Sequence, residues 1–269
     1  MKIGINSSFI VTHFDDLLKP NFYIDKINKD FNHFLTYDSY QVKYQIVSEN
    51  EYDLSDKVGS FINDFNKSIS CLSSELSNKK YYEIDENIDN IGEKILNAYE
   101  LDRSKRKKYN FVISNGFVSI NDQVFSDHNY ERIFVYLLDL FLGISSLFID
   151  NDPSQIIRRL YFKCGDYTKY NNTIEYKLLS NDWLFDSNKI QFVYKVIDFC
   201  MNFLKEESFK KFYEIEEDYV YVYGYDFNEL NSIINQLKLN NAERYFRFIS
   251  NFLPENICKD LEKIKAHWN

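Results

Sequence analysis

Residues 135–184 read VYLLDLFLGISSLFIDNDPSQIIRRLYFKCGDYTKYNNTIEYKLLSNDWL, and this stretch decides the fold. Its first part belongs to an apolar run from Ile133 to Ile149. Apolar residues there fall nearly all round a helix, which predicts a helix in the middle of the fold. Asp127 or Asn129 can cap its start. Asp139 interrupts the run, so a buried core helix fits it better than a membrane span. Two strand-like segments follow, Leu160–Thr168 and Thr173–Ser180, joined by a turn at Tyr170-Asn171-Asn172.

Upstream, Met1–Val11 and Tyr40–Val47 read as strands, the second from its alternating Val42, Tyr44 and Ile46. Leu54–Leu76 carries one apolar stripe at spacings of three and four and predicts a long helix. Lys79–Ile84 reads as a short strand and Asp89–Leu101 as a weaker helix. Tyr109–Ile120 reads as a strand with an irregularity at Asn115-Gly116. Downstream, Ile190–Lys205 is an amphipathic helix and Tyr219–Tyr225 a strand. Asp226 and Glu229 form a capping box for a helix to Lys238. Short helices follow at Ala242–Phe252 and Pro254–Trp268. The interleaving, with a strand hairpin, predicts one α+β unit with a mainly antiparallel sheet, packed helices and a helical C-terminal section. Residues 1–215 form the α+β domain, and residues 216–269 add a strand and helices packed on it.

Composition narrows the function. The chain has 269 residues, enough for a large core, and 45% of them are hydrophobic. The many Phe and Tyr fit an AT-rich genome better than a stacking role. There are 7 Gly, and the two closest, Gly143 and Gly165, are too far apart for a phosphate-binding glycine loop. Cys71, Cys164, Cys200 and Cys258 form no CxxC pair, and the four His form no metal-binding spacing, so no metal site is expected. The scattered Cys read as buried free thiols. The formal net charge of −9 argues against nucleic acid. The basic run at residues 103–108 reads as a solvated loop. Met1–Val11 lacks the character of a secretory signal.

Three linked elements within residues 135–184 resemble the phage-type amidoligases, ATP-dependent carboxylate–amine ligases related to glutamine synthetase and glutamate–cysteine ligase. They are the double arginine Arg158-Arg159, the run Tyr161-Phe162-Lys163-Cys164-Gly165, and the run Glu175 to Trp183. They follow a long helix that ends in an acidic turn, in the family's order. The resemblance implies a glutamine-synthetase-like sheet and a site on it. Glu175 would be one metal ligand. Arg158, Arg159 and Lys163 would face phosphate or a substrate carboxylate, a task suited to arginine.

Elsewhere the chain departs from the family's motifs. Asn6 and Ser8 stand where the family has acids, and Lys43 stands where it has a Glu. Phe117 and Ser119 replace two His, and Lys177 replaces an Arg. These substitutions remove most Mg²⁺ ligands, and an ammonium at Lys43 could neutralise Glu175 without metal. The resemblance therefore implies a catalytically inactive scaffold without cofactor, reused as a binding or structural protein. A bacteriophage source, a virion or host-cytoplasm location, and protein partners such as phage structural subunits follow from the same association. No nucleic acid or membrane partner is expected. The alternative is an active ligase using ATP and Mg²⁺ through a diverged site.

Each motif residue also has a plainer reading. Arg158 and Arg159 can pair with Asp150 and Asp152, Trp183 can be core, and Glu175 can face solvent. Tyr219, Tyr221, Tyr223 and Tyr225 alternate along one strand. They are either core beneath the following helices or a protein-binding strip framed by Glu214, Glu216, Glu217, Asp218 and Asp226.

Overall fold

The structure is a computed structural model. It describes residues 1–13, 16–17, 35–37, 41–69, 74–77, 81–83, 111–150, 155–159, 161–211, 213–216, 219–222 and 227–265. The helix expected at Asp89–Leu101, the basic run at 103–108, Cys71, Asp152, Tyr223, Tyr225 and the capping residue Asp226 lie outside them.

A mixed α+β architecture is built on an antiparallel sheet. In chain order its described strands are β1 (Lys2–His13), β2 (Asp16–Leu17), β3 (Leu35–Tyr37), β4 (Val42–Ser48) and β5 (Ser74–Ser77). Two short strands, β6 (Tyr81–Glu83) and β7 (Phe111–Ile113), pair with each other apart from it. The sheet continues with β8 (Asn115–Asn121), β9 (Tyr167–Tyr170) and β10 (Thr173–Tyr176). Its order is β3-β4-β1-β8-β10-β9, and the far half of β1 pairs with β2 and β5. A second hairpin joins β11 (Tyr213–Glu216) and β12 (Tyr219–Val222).

Alternation along the central strands produces two unlike faces. On one, Ile3, Ile5, Phe9, Val42, Tyr44, Val118, Ile120, Ile174 and Tyr176 are all buried in the main core. The helices α1 (Glu51–Ile69), α2 (His128–Ile149) and α4 (Ser187–Lys205) pack side chains into that core. Tyr44 stacks on Phe61 of α1 with ring centroids 3.8 Å apart. The short α3 (Gln155–Arg159) follows α2. Three helices close the chain: α5 (Phe227–Asn235), α6 (Leu239–Ser250) and α7 (Glu255–Lys265). One core runs from Ile3 to Ile264, so the C-terminal section belongs to the same packed unit. The expected boundary at 215/216 falls inside β11.

Asp127 caps α2, its carboxylate accepting from the Asn129 amide. The helix is long and apolar enough to cross a membrane, but 83% of its most apolar window is buried inside the protein. Asp139–Gly143 forms a π turn in its middle.

Several expected boundaries move. The helix expected to reach Leu76 is described to Ile69, and Leu76 instead pairs with Val11 in β5. Tyr109–Ile120 is two strands in different sheets, separated at Ser114. The first hairpin strand begins at Tyr167, because residues 161–166 turn over the sheet edge. Asn171 closes the hairpin with φ 52°, a left-handed conformation that Asn tolerates. The helix expected to reach Lys238 ends at Asn235, and Glu229 accepts from the Tyr245 hydroxyl at 3.0 Å.

Candidate functional site

The sheet face turned away from the helices carries the candidate site. The register sets Ser8 between Lys43 and Asn115, and Asn6 between Gln45 and Phe117. Gly4 lies between Val47 and Ser119, and Ser119 pairs in turn with Glu175. Partners directly opposite share a face. Asn6, Ser8, Lys43, Phe117, Ser119 and Glu175 therefore lie on the same face of four adjacent strands, although 169 residues separate the first from the last.

The contacts on this face are specific. The Asn6 amide donates to Oε2 of Glu175. The Asn115 amide donates to the Ser8 hydroxyl at 2.7 Å, and Asn115 Oδ1 accepts from the Ser8 backbone at 3.2 Å. Lys177 holds its ammonium 5.9 Å from the Phe117 ring centre, within cation–π range. Phe162 meets Phe117 edge to face at 4.8 Å. Glu175 is buried, Asn6 is partly buried, and Val47 at the far end is 57% exposed.

Two expected roles are corrected here. Lys43 does not sit beside Glu175: three strand steps separate them, roughly 14 Å across the sheet at about 4.8 Å per step. The contact that meets the Glu175 carboxylate is the neutral amide of Asn6. Arg158 and Arg159 do not present their guanidinium groups to a ligand face. Arg158 is wholly buried. Its Nε donates to Ser114 O at 3.1 Å, Nη1 to Leu178 O at 3.0 Å and Nη2 to Leu179 O at 2.7 Å. Nη1 also reaches Gln155 Oε1 at 3.2 Å. Arg159 donates to Leu178 O at 2.7 Å. Burial pushes the Arg158 pKa down to about 9, with Arg159 adding to the effect and Asp150 opposing it. The pair acts as a clamp that satisfies backbone carbonyls at the end of β10 and at Ser114. Arg158 meets the candidate face through Phe162, whose ring centre lies 5.6 Å from its guanidinium carbon.

Lys163 is partly buried, and its backbone amide donates to Asp166 at 2.8 Å. Trp183 is core, 2% exposed, and its indole N–H donates to Gly116 O at 3.1 Å. A Cβ on Gly116 would lie 2.0 Å from Ser180 O. The Asn115-Gly116 irregularity is thus where β8 passes tightly under the chain after β10.

Sequence reasoning missed a second polar cluster, on the helix side of the sheet. Asp139, in the π turn, is 0% exposed. Its Oδ1 accepts from the Tyr176 hydroxyl at 2.8 Å and the Gly165 amide at 3.2 Å, while its buried Oδ2 has no hydrogen-bond partner among the described residues. Burial pushes its carboxyl up to about 7, against the lowering effect of these donors and of Arg159. The only signal in the sequence was one acid inside an apolar run. Asn115 was missed as well, because the sequence marked it only as part of an irregularity within a strand.

The donor set on this face suits Mg²⁺ poorly. That ion prefers an octahedron of oxygen ligands anchored by carboxylates. Among the described residues of β1, β4, β8 and β10 on this face Glu175 is the one carboxylate and it already accepts from Asn6, while Lys2, Lys43 and Lys177 bring ammonium groups. Among the described residues there is no group of three or more His, Cys, Asp and Glu side chains placed to hold a metal. No family model matches the chain, and no curated protein matches it in sequence.

Proposed function

We propose that this chain is a carboxylate–amine ligase scaffold of the glutamine-synthetase-like type whose sheet-face site no longer performs catalysis, and that it works as a protein-binding component. The observation that carries the reading is the convergence of Asn6, Ser8, Lys43, Phe117, Ser119 and Glu175 on one sheet face. Their alignment with a ligase site came from sequence alone, at positions up to 169 residues apart. Their placement on one face of adjacent strands is what a shared ligase scaffold would produce, and it supports the reading. The chemistry of these residues then supports loss of function: an amide, hydroxyls, a phenyl ring and an ammonium cannot replace carboxylate and imidazole ligands. The resemblance extends the reading to a bacteriophage virion or assembly role, in the particle or the host cytoplasm, with structural proteins as partners.

Thermal unfolding with and without Mg-ATP tests the catalytic half. A ligand that binds only the folded state at 100 times its Kd adds about 2.7 kcal/mol, which in a chain of this size raises Tm by several degrees. The expected result is no Mg²⁺-dependent rise. A clear rise would instead support the alternative, an active ATP- and Mg²⁺-dependent ligase with a diverged site.

A further inference from the structure

On the helix side of the sheet, away from the Asn6–Glu175 face, a groove of about 380 Å³ runs along α4, between the start of α1 and the start of α7. Phe199 and Phe203 of α4 and the buried Ile257 of α7 give it an apolar floor. The two rings stand 5.4 Å apart, and each is braced from below by Phe141. Glu51, Asp198 and Glu206 line the groove with carboxylates. Among the described residues that line it the one cation, Lys195, is engaged by Asp260 at 2.7 Å. The groove is therefore negative beyond the general −9 of the chain. Tyr194, at the same wall, has its phenol pKa raised by burial and then by the charges of Asp198, Glu51 and Asp53.

We propose that this groove docks a short amphipathic segment of another protein, with lysine or arginine residues flanking leucine-like side chains. The proposal rests on the protein-binding half of the function above and names the partner's chemistry. Asp198 on α4 and Glu206, the residue that caps its C-terminus, are eight residues apart, about 12 Å along the helix axis. Two cations about two helical turns apart would match them, while apolar side chains between the cations would cover Phe199 and Phe203. This is the helix-in-groove mode, with charge complementarity setting orientation and on-rate.

The probe is a fluorescein-labelled 15-residue model helix of Lys, Leu and Ala, titrated against the full chain and read by fluorescence anisotropy. The double variant Asp198→Lys/Glu206→Lys is expected to weaken binding at least tenfold. The double variant Glu243→Lys/Glu262→Lys changes net charge equally at exposed positions that do not line the groove, and is expected to stay within twofold of wild type. Asn202→Arg, a single exposed change in the groove, is expected to weaken binding also, and it serves if the first double variant melts early. Replacing every Leu of the probe by Ser is expected to abolish binding. Equal losses in the two double variants would reduce the effect to net charge and overturn the proposal. So would undiminished binding of the Ser probe, or spermine binding with the same groove dependence in place of the peptide. A Mg-ATP thermal shift would leave these outcomes untouched, so the two readings fail separately.

Discussion

Asn6 on β1 and Glu175 on β10 are joined side chain to side chain across the intervening strand β8. A carboxylate at position 6 would face Glu175 as a like charge at hydrogen-bond range. An amide there turns that repulsion into a donated hydrogen bond, worth about 1.5–3 kcal/mol when one partner is charged. At this place the face therefore pairs an amide with an acid, not two acids.

Asn6→Asp is expected to reverse this. Two carboxyl groups sharing a site raise the pKa of one of them. The folded variant then holds a proton that the unfolded chain has lost, so its stability falls as pH rises above the ordinary carboxylate range. At pH 7.5 the expected loss is about 2 kcal/mol by urea denaturation. Millimolar Mg²⁺ or Mn²⁺ should recover part of that loss in the variant and leave wild type unchanged. A variant as stable as wild type in EDTA would show that the Asn6–Glu175 contact carries no weight.

Arg158→Met removes the donors to the carbonyls of Ser114, Leu178 and Leu179. Leu178 O keeps Arg159 and Leu179 O keeps the Gly116 amide, so the cost lies in the lost charge-assisted bonds and in Ser114 O, about 3–5 kcal/mol for breaking a buried charged network. Arg158→Lys should rescue little, because one ammonium cannot reach three diverging carbonyls as the planar guanidinium does. The readout is the urea midpoint of both variants. A loss under about 1 kcal/mol, the scale of an exposed pair, would overturn the clamp.

Asp139 should make stability fall with rising pH. Its carboxyl is pushed up to about 7 in the folded protein, while the unfolded chain titrates near 4. Between these values the folded state holds the extra proton, so alkalinity favours unfolding by up to about 1.4 kcal/mol per pH unit. Below the window both states are protonated, and above it the penalty is complete. Asp139→Asn should be relatively more stable than wild type at pH 8 than at pH 4.5. Parallel pH profiles for the two proteins would contradict the buried-acid assignment.

Gly116→Ala should destabilise strongly. The added methyl would lie 2.0 Å from Ser180 O and 2.5 Å from Trp183 Nε1. A backbone oxygen cannot yield as a flexible side chain can, so the cost should reach or exceed about 3 kcal/mol, the upper end for overpacking. Gly59→Ala, with nothing within 4 Å of the added atom, is the matched control and should be neutral or slightly stabilising. Comparable melting temperatures for the two variants would refute the tight passage of β8.

What the sequence revealed follows from where its information lies. Helix α2 was legible because its apolar residues leave no polar face between Ile133 and Ile149. The hairpin at Asn171 was legible because turn residues separate two strand-like runs. Leu76 was misread because its spacing from Leu72 continues the helical stripe, and only pairing with Val11 shows it to be a strand residue. The clamp by Arg158 was invisible, since a charged residue after a helix reads as a surface ion pair. Its acceptors are carbonyls brought near by folding. The separation of Lys43 from Glu175 depended on strand order, which no local pattern encodes. Asn6 and Glu175 could be placed on one face only through the resemblance, and their mutual hydrogen bond only through coordinates.

The π turn at Asp139–Gly143 has a consequence for chain length. Such a turn accommodates one residue more than an α-helical ladder needs. Everything after Gly143 is rotated by about 100° relative to an uninterrupted helix. That rotation aims Phe148 at Phe246 of α6, ring centres 5.4 Å apart, while residues before the turn keep their own facing. Deleting one residue between 139 and 143 would heal the ladder and leave Leu147, Phe148 and Ile149 facing the layer they fill, whereas inserting one between Gly143 and Leu147, where no turn absorbs it, would swing them by about 100°. At this place the number of residues, more than their identity, sets which side chains meet which neighbours.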